Sequence, residues 1–233
     1  MRSLLRLRLP DSGVSSARMA AGVAAVSATT EFMHFEALAS NTRRVLTLLS
    51  GAASPRGFSL GGGTGLALHM GHRLSVDLDW FTRERFDPMV LRAELPADEN
   101  TIVTGTAANT LHATVSGVKV DFLRYDYPLL EPPELQDGVS ILSVRDIAAM
   151  KLSAVTNRGA KKDFYDIAWL LRSHSLPELL GWYETKFQGF DTFAVIRSLT
   201  WFEDAKRDPD PVVLQPLEWA EVQKVVAAAV ENL

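Results

Sequence analysis

The sequence predicts an α+β chain: a small mixed sheet with flanking helices, followed by a helical C-terminal half packed on it. Three observations carry that expectation. Three runs of alternating apolar residues, at 101–106, 110–116 and 118–125, are joined by the short turns Ala107-Ala108-Asn109 and Ser116-Gly117, the pattern of an antiparallel meander. Ahead of them, a strand, a glycine cluster, a helix and a second strand follow one another between Phe58 and Phe81. Beyond Ser143, apolar residues recur at helical spacing.

The elements follow in order. Residues 1–32 are rich in Arg, Ser and Ala, poor in acids, and carry Pro10, Gly13 and Gly22. They read as a disordered or dispensable leader and are left out of the fold. Phe35, Leu38, Thr42, Val45, Leu46 and Leu49 share one helical face, so 34–50 is a helix. Phe58-Ser-Leu60 is a short strand that runs into Gly61-Gly62-Gly63-Thr64-Gly65, and 66–71 is a helix. Residues 74–81 alternate and read as a strand. Residues 86–95 form a helix capped by Asp87 with Pro88 at its first position. After the meander, Pro128, Pro132 and Pro133 mark a connection, and helices follow at 144–157, 162–173, 177–188, 191–199 and 218–231. The organisation expected is a leader (1–32), a sheet-bearing core (33–136) and a helical region (137–233).

Composition narrows the function classes. With 233 residues, 47% of them hydrophobic and 22% charged, the chain can bury a substantial core in one domain or two small ones. It has no cysteine, which excludes disulfide frameworks, thiolate zinc sites and cysteine nucleophiles. That fits a reducing compartment, so the chain is read as cytoplasmic. No run reaches the roughly 18 apolar residues of a membrane span. The net charge of −4 means that any contact with nucleic acid is local. A basic island supplies a candidate. Arg145, Lys151, Arg158, Lys161 and Lys162 stand against Asp146 alone between 145 and 162, whereas 163–233 is acidic.

The chemistry centres on Ser75-Val-Asp77-Leu-Asp79-Trp-Phe81. On a strand, Ser75, Asp77 and Asp79 face one way and Val76, Leu78 and Trp80 the other. The two carboxylates then lie roughly 6.5 Å apart. Oxygen ligands with no His or Cys nearby suit Mg²⁺, which takes one or two carboxylates plus substrate phosphates. The alternative is an exposed edge strand with two solvated acids. Asp121, on the polar face of 118–125, completes a three-carboxylate cluster if its strand lies beside the first; otherwise it pairs with Lys119 or Arg124. Gly61–Gly65 offers backbone N–H groups and a helix N-terminus to phosphate. It is neither a P-loop nor a dinucleotide fingerprint, since no GK[ST] follows and Leu66 stands where the third glycine belongs. Lys151, Arg158, Lys162 and Asp166 are spaced 7, 4 and 4, a single stripe if helical, with Gly159 splitting it. Lys161 lies about 80° off that stripe and is expected to dock an RNA acceptor. His69 and His72 have no third ligand and read as structural.

The segments Phe58–Phe81, Arg145–Lys151 and Arg158-Gly-Ala-Lys-Lys-Asp163-Phe-Tyr-Asp166, with Trp201-Phe-Glu-Asp-Ala205 before a Pro-rich stretch, together resemble the AbiEii/AbiGii-type nucleotidyltransferase toxin family. The resemblance covers about 34–231. It implies a polymerase-beta-like nucleotidyltransferase fold and Mg²⁺ (or Mn²⁺)-dependent use of an NTP. It implies that Asp77 and Asp79 hold metal, and that Lys151 and an acid of the Asp163…Asp166 segment are catalytic. Asp121 as a third metal ligand follows the wider nucleotidyltransferase pattern. Gly62, Gly63 and Thr64 would cradle the triphosphate, with Ser75, Arg158 and Lys162 beside it. Many relatives are toxins paired with a separately encoded antitoxin, and some modify tRNA ends, so tRNA, another nucleic acid or a protein is the acceptor expected. One departure is Gly65, where the family has alanine. The competing class is a non-catalytic NTP- or RNA-binding protein that kept the fold; a binder has no need of the intact acids.

Overall fold

The computed structural model describes residues 33–95 and 100–233, and the leader expected over 1–32 lies outside them. The meander is present: β3 (Thr101–Ala107), β4 (Thr110–Val115) and β5 (Val118–Arg124) are antiparallel neighbours. β5 pairs in parallel with β2 (Leu78–Thr82), which is antiparallel to the two-residue β1 (Ser59–Leu60). A second hairpin extends the sheet beyond β1. Its strands are β6 (Glu134–Gln136) and β7 (Val139–Ile141), with β7 parallel to β1. The sheet order is β3-β4-β5-β2-β1-β7-β6.

The β6–β7 hairpin lies where the sequence reading has only a connection. Its turn is Asp137-Gly138, with φ of 49° and 80°, the paired positive φ of a two-residue hairpin. The limit at 136 expected for the core falls at this turn. The sheet continues to Ile141, and all the described residues belong to one compact unit.

Around the β1–β2 region three elements differ from expectation. The first helix is a 3₁₀ turn, Phe35–Ala37, followed by α1 (Ser40–Ala53). It breaks at Leu38 because Leu38 bridges to Ser75, whose N–H donates to the Ala37 carbonyl at 2.9 Å. α2 (Gly62–Met70) starts at Gly62 rather than Leu66, so the glycine cluster is the first turn of a helix and not a loop. Strand β2 starts at Leu78 rather than Leu74. Residues 73–75 instead pair singly, Arg73 with Val213 and Ser75 with Leu38.

The helical half is α4 (Val144–Asn157), α5 (Lys161–Leu170), α6 (Leu176–Lys186), α7 (Thr192–Leu199) and α8 (Trp219–Glu231). Local signals set these ends. Ser143 caps α4 by accepting from the Asp146 N–H, and Ser175 and Glu178 form a capping box on α6. Asp87, with Pro88 after it, caps α3 (Pro88–Glu94). Two hydrophobic cores result. One lies between α1 and the sheet, with Leu46, Leu49, Trp80 and Phe122, and the other among the C-terminal helices, with Leu152, Phe164, Leu179 and Val222. α2 joins them: Leu68 enters the first and Leu66 the second. A helix buried all round needs small residues at close contacts. A Cβ on Gly65 would lie 2.9 Å from Ile147 Cδ1 and 3.2 Å from the Leu60 carbonyl oxygen. Among the described residues no helix is long and apolar enough to cross a membrane.

Candidate active site

A cleft of about 380 Å³ opens where α2, the 73–79 segment, β5 and α4 meet. One wall is acidic. Asp79 on β2 is the register partner of Asp121 on β5, so the third carboxylate stands beside the second, as the strand pairing had to provide. Asp77 lines the same cleft from just before β2. Burial raises the Asp79 pKa, and the Asp121 charge raises it further. Asp121 is held from outside by His112 Nδ1 at 2.8 Å and Lys119 Nζ at 3.0 Å. That ion pair raises the Lys119 pKa. Asp121 therefore pairs with Lys119 and also lines the cleft. Among the described residues no three His, Asp or Glu side chains come together as a group that could by itself hold a metal ion.

The N-terminus of α2 forms the floor, with Gly62, Gly63 and Thr64 in the cleft wall. Gly62 has φ +60°, and a Cβ there would collide with Asp79 Oδ2. Gly62→Ala is therefore expected to destabilise by about 1–2 kcal/mol for the left-handed backbone. It should also displace the Asp79 carboxylate, so transfer activity should fall further than the melting curve accounts for. A variant whose activity follows its stability alone would show that the close approach has no catalytic consequence. The Thr64 hydroxyl is buried. It donates to the Asp77 carbonyl and lies 2.7 Å from Ser75 Oγ, so Thr64 and Ser75 fasten the acidic segment to α2 with their side chains.

The cations that line the cleft are Lys151, Arg158, Lys162, Arg73 and Lys119. Lys162 Nζ reaches across to Asp77 Oδ2 at 3.8 Å. α4 ends at Asn157 and α5 begins at Lys161, with Gly159 between them at φ +54°, so the stripe is split as its glycine predicts. Asp163 and Asp166, expected to be catalytic, do not line the cleft. Both are wholly buried behind it, with their oxygens engaged by cations. Asp163 accepts from Lys151 Nζ at 3.0 Å and from Arg158 Nε and Nη2 at 2.8 and 2.9 Å. Asp166 binds Lys151 Nζ at 2.6 Å, accepts from Arg73 Nε and Nη2 at 2.6 and 2.9 Å, and lies 2.8 Å from His72 Nε2. Burial pushes both acids up, but the surrounding cations outweigh it and hold both below the ordinary range, Asp166 well below. Burial lowers the His72 pKa, against the opposing pull of its Asp166 hydrogen bond. His69 bonds the Leu142 carbonyl at 2.9 Å. Both histidines thus have hydrogen-bond partners within the fold.

Arg73 is the cleft residue that sequence reasoning missed. The signal was present: 73, 75, 77 and 79 alternate onto one face. Lys161 corrects another expectation. It is only 7% exposed, its Nζ lies 3.2 Å from Asp210 Oδ1, and it sits over the Trp219 ring, so it is not a docking residue for RNA.

A family model described as "Nucleotidyl transferase AbiEii toxin, Type IV TA system" matches residues 44–229. The chain is 37% identical over 175 residues to the uncharacterized protein aq_aa25 of Aquifex aeolicus (strain VF5), across 72% of this chain and 83% of that protein. The crystal structure of JHP933 from Helicobacter pylori aligns with a TM-score of 0.56 at 15% identity, covering 86% of this chain and 92% of its own. A second H. pylori structure aligns with a TM-score of 0.51, also at 15% identity, covering 82% and 90%. At that identity the structural likeness carries the fold.

Proposed function

The chain belongs to the AbiEii family of nucleotidyl transferase toxins of Type IV toxin–antitoxin systems, and from that premise we propose that it moves a nucleoside monophosphate from an NTP to an acceptor hydroxyl in the cytoplasm, with a separately encoded antitoxin as its partner. The observation that carries this reading is the polarity of one cleft. Three carboxylates (Asp77, Asp79 and Asp121) and five cations (Arg73, Lys119, Lys151, Arg158 and Lys162) line it together, beside the N-terminus of α2.

The residues fit a divalent metal. The donors are hard oxygens, and burial and the Asp121 charge raise the Asp79 pKa despite the opposing charges of Lys151 and Lys119. An incomplete cage suits Mg²⁺ or Mn²⁺, which would keep substrate phosphates among their ligands. Asp77, Asp79 and Asp121 would hold the metal, which supplies charge neutralisation at the attacking and leaving oxygens. The backbone N–H groups of Gly62 and Gly63 and the α2 N-terminus bind the triphosphate. Lys162, Arg158, Arg73 and Lys151 neutralise its negative charge, and the last three are held in place by Asp163 and Asp166. The acceptor oxygen forms a bond to the α-phosphorus, the bond to the pyrophosphate oxygen breaks, and the acceptor's proton passes to a cleft carboxylate. Asp163 and Asp166 are positioning residues in this scheme.

The test is incubation with each α-labelled NTP in turn, with total RNA or total protein, in Mg²⁺ and in chelator. The expected result is pyrophosphate release and label on one acceptor class in Mg²⁺ only; we expect the label on nucleic acid, tRNA included. Binding of NTP without consumption under every condition would leave the non-catalytic binder as the correct reading.

A further inference from the structure

A second cavity, about 750 Å³, opens beyond the joint between α4 and α5 and shares Asn157 and Arg158 with the catalytic cleft. Its outer rim carries two large aromatic side chains in the open, Phe193 at 68% and Trp201 at 58% exposure. Among the described residues neither ring packs against another ring. The contrast with the next residue is sharp: Phe202 packs on Phe164 and Trp219 and belongs to the helical core. The backbone at Trp201 is also fixed, its N–H donating to the Ser198 carbonyl at 3.1 Å. The charged groups facing the cavity are Arg158, Arg197 and Asp204. Arg158 is bound to Asp163, and among the described residues Arg197 has no ion-pair partner.

Exposed aromatic rings beside an unpaired guanidinium, leading into a phosphate-handling cleft, have a specific physical use. Successive bases of a single strand stack on aromatic faces, while arginines follow the phosphates. A duplex does not present its base faces in this way. We infer that this groove holds the single-stranded 3′ end of a polynucleotide acceptor: bases stack on Trp201 and Phe193, Arg197 takes a backbone phosphate, and the strand passes Arg158 to reach the carboxylates. This deepens the nucleotidyl transfer reading and rests on it for the direction of the strand. It also gives the Trp201-Phe-Glu-Asp-Ala205 segment a divided role, with Phe202 in the core and Trp201 toward the acceptor.

The experiment uses the full chain and a short fluorescein-labelled single-stranded RNA of mixed sequence. Arms with DNA of the same sequence and with duplex RNA identify the form bound. Trp201→Ala and Phe193→Ala should each weaken binding by roughly tenfold without lowering the melting temperature, as expected for loss of one stacking platform. Arg197→Ala should weaken binding and reduce the salt slope by about 1. Trp201→Phe should keep most of the affinity yet lose the quenching of tryptophan fluorescence by RNA, which a structural role would not produce. Equal affinity of parent, Trp201→Ala and Phe193→Ala, preference for duplex, or no binding by the parent overturns the groove. Labelling of a protein in place of RNA by the parent overturns it as well. The two readings fail separately. Transfer to RNA with groove variants that bind like the parent removes the groove alone. Loss of RNA affinity in those variants, with no transfer from any NTP, removes the transferase reading alone.

Discussion

Asp79→Asn is expected to abolish nucleotidyl transfer while leaving the protein at least as stable as the parent. Metal charge stabilisation at a transferring phosphoryl group amounts to several kcal/mol, and about 4 kcal/mol corresponds to roughly a thousandfold in rate. Stability should move the other way. Burial and the neighbouring Asp121 carboxylate raise the Asp79 pKa above its ordinary value of 3.8, so the fold disfavours the ionised form. A raised acid binds more protons folded than unfolded, and stability falls as pH rises from the ordinary value through the folded one. Asparagine removes that loss. The variant should therefore melt above the parent at neutral pH in chelator, and the gap should close as pH falls below the ordinary aspartate range. Labelled-NTP transfer and thermal melts across pH measure both effects. Full activity in the variant, or a melting temperature lower by many degrees, would defeat the metal-holding role.

Much of this site was legible in the sequence because it depends on local periodicity. Alternation groups Ser75, Asp77 and Asp79, and all three line the cleft although only Asp79 lies in β2, while the split of the basic stripe follows from Gly159. The helix ends followed from Asp87 and Gly159. What the sequence hid depends on contacts remote along the chain. Asp163 and Asp166 look like catalytic acids beside Lys162. Only the fold reveals that α5 turns them inward onto Lys151, Arg158 and Arg73. Lys161 looks like a surface cation until Asp210 and Trp219, some fifty residues on, close over it. The β6–β7 hairpin is a different kind of miss: Asp137-Gly138 is a short-range signal, obscured by the prolines before it.

Asp166→Ala is expected to be the most destabilising substitution in the site, by about 3–5 kcal/mol, because it strands buried cations. Asp166 joins three separate segments. Arg73 lies between α2 and β2, Lys151 on α4 and Asp166 itself on α5, and their side chains are almost entirely buried. For a chain of this size the loss corresponds to a melting temperature lower by roughly 6–20 °C. Asp163→Ala should do less harm, since one of its partners, Arg158, is half-exposed and regains water when released. The pH dependence follows from the sign of the shift. The folded pKa of Asp166 is held well below 3.8, so its stabilisation is complete above the unfolded value and is lost as pH falls through the folded one. The gap between parent and Asp166→Ala should thus be widest near neutrality and shrink in acid, opposite in sign to the Asp79→Asn gap. Transfer should fall in Asp166→Ala even at temperatures where it stays folded, because Lys151 and Arg73 lose the anchor that aims them into the cleft. An Asp166→Ala protein that melts like the parent and transfers like it would show that Lys151 and Arg73 are held by packing alone.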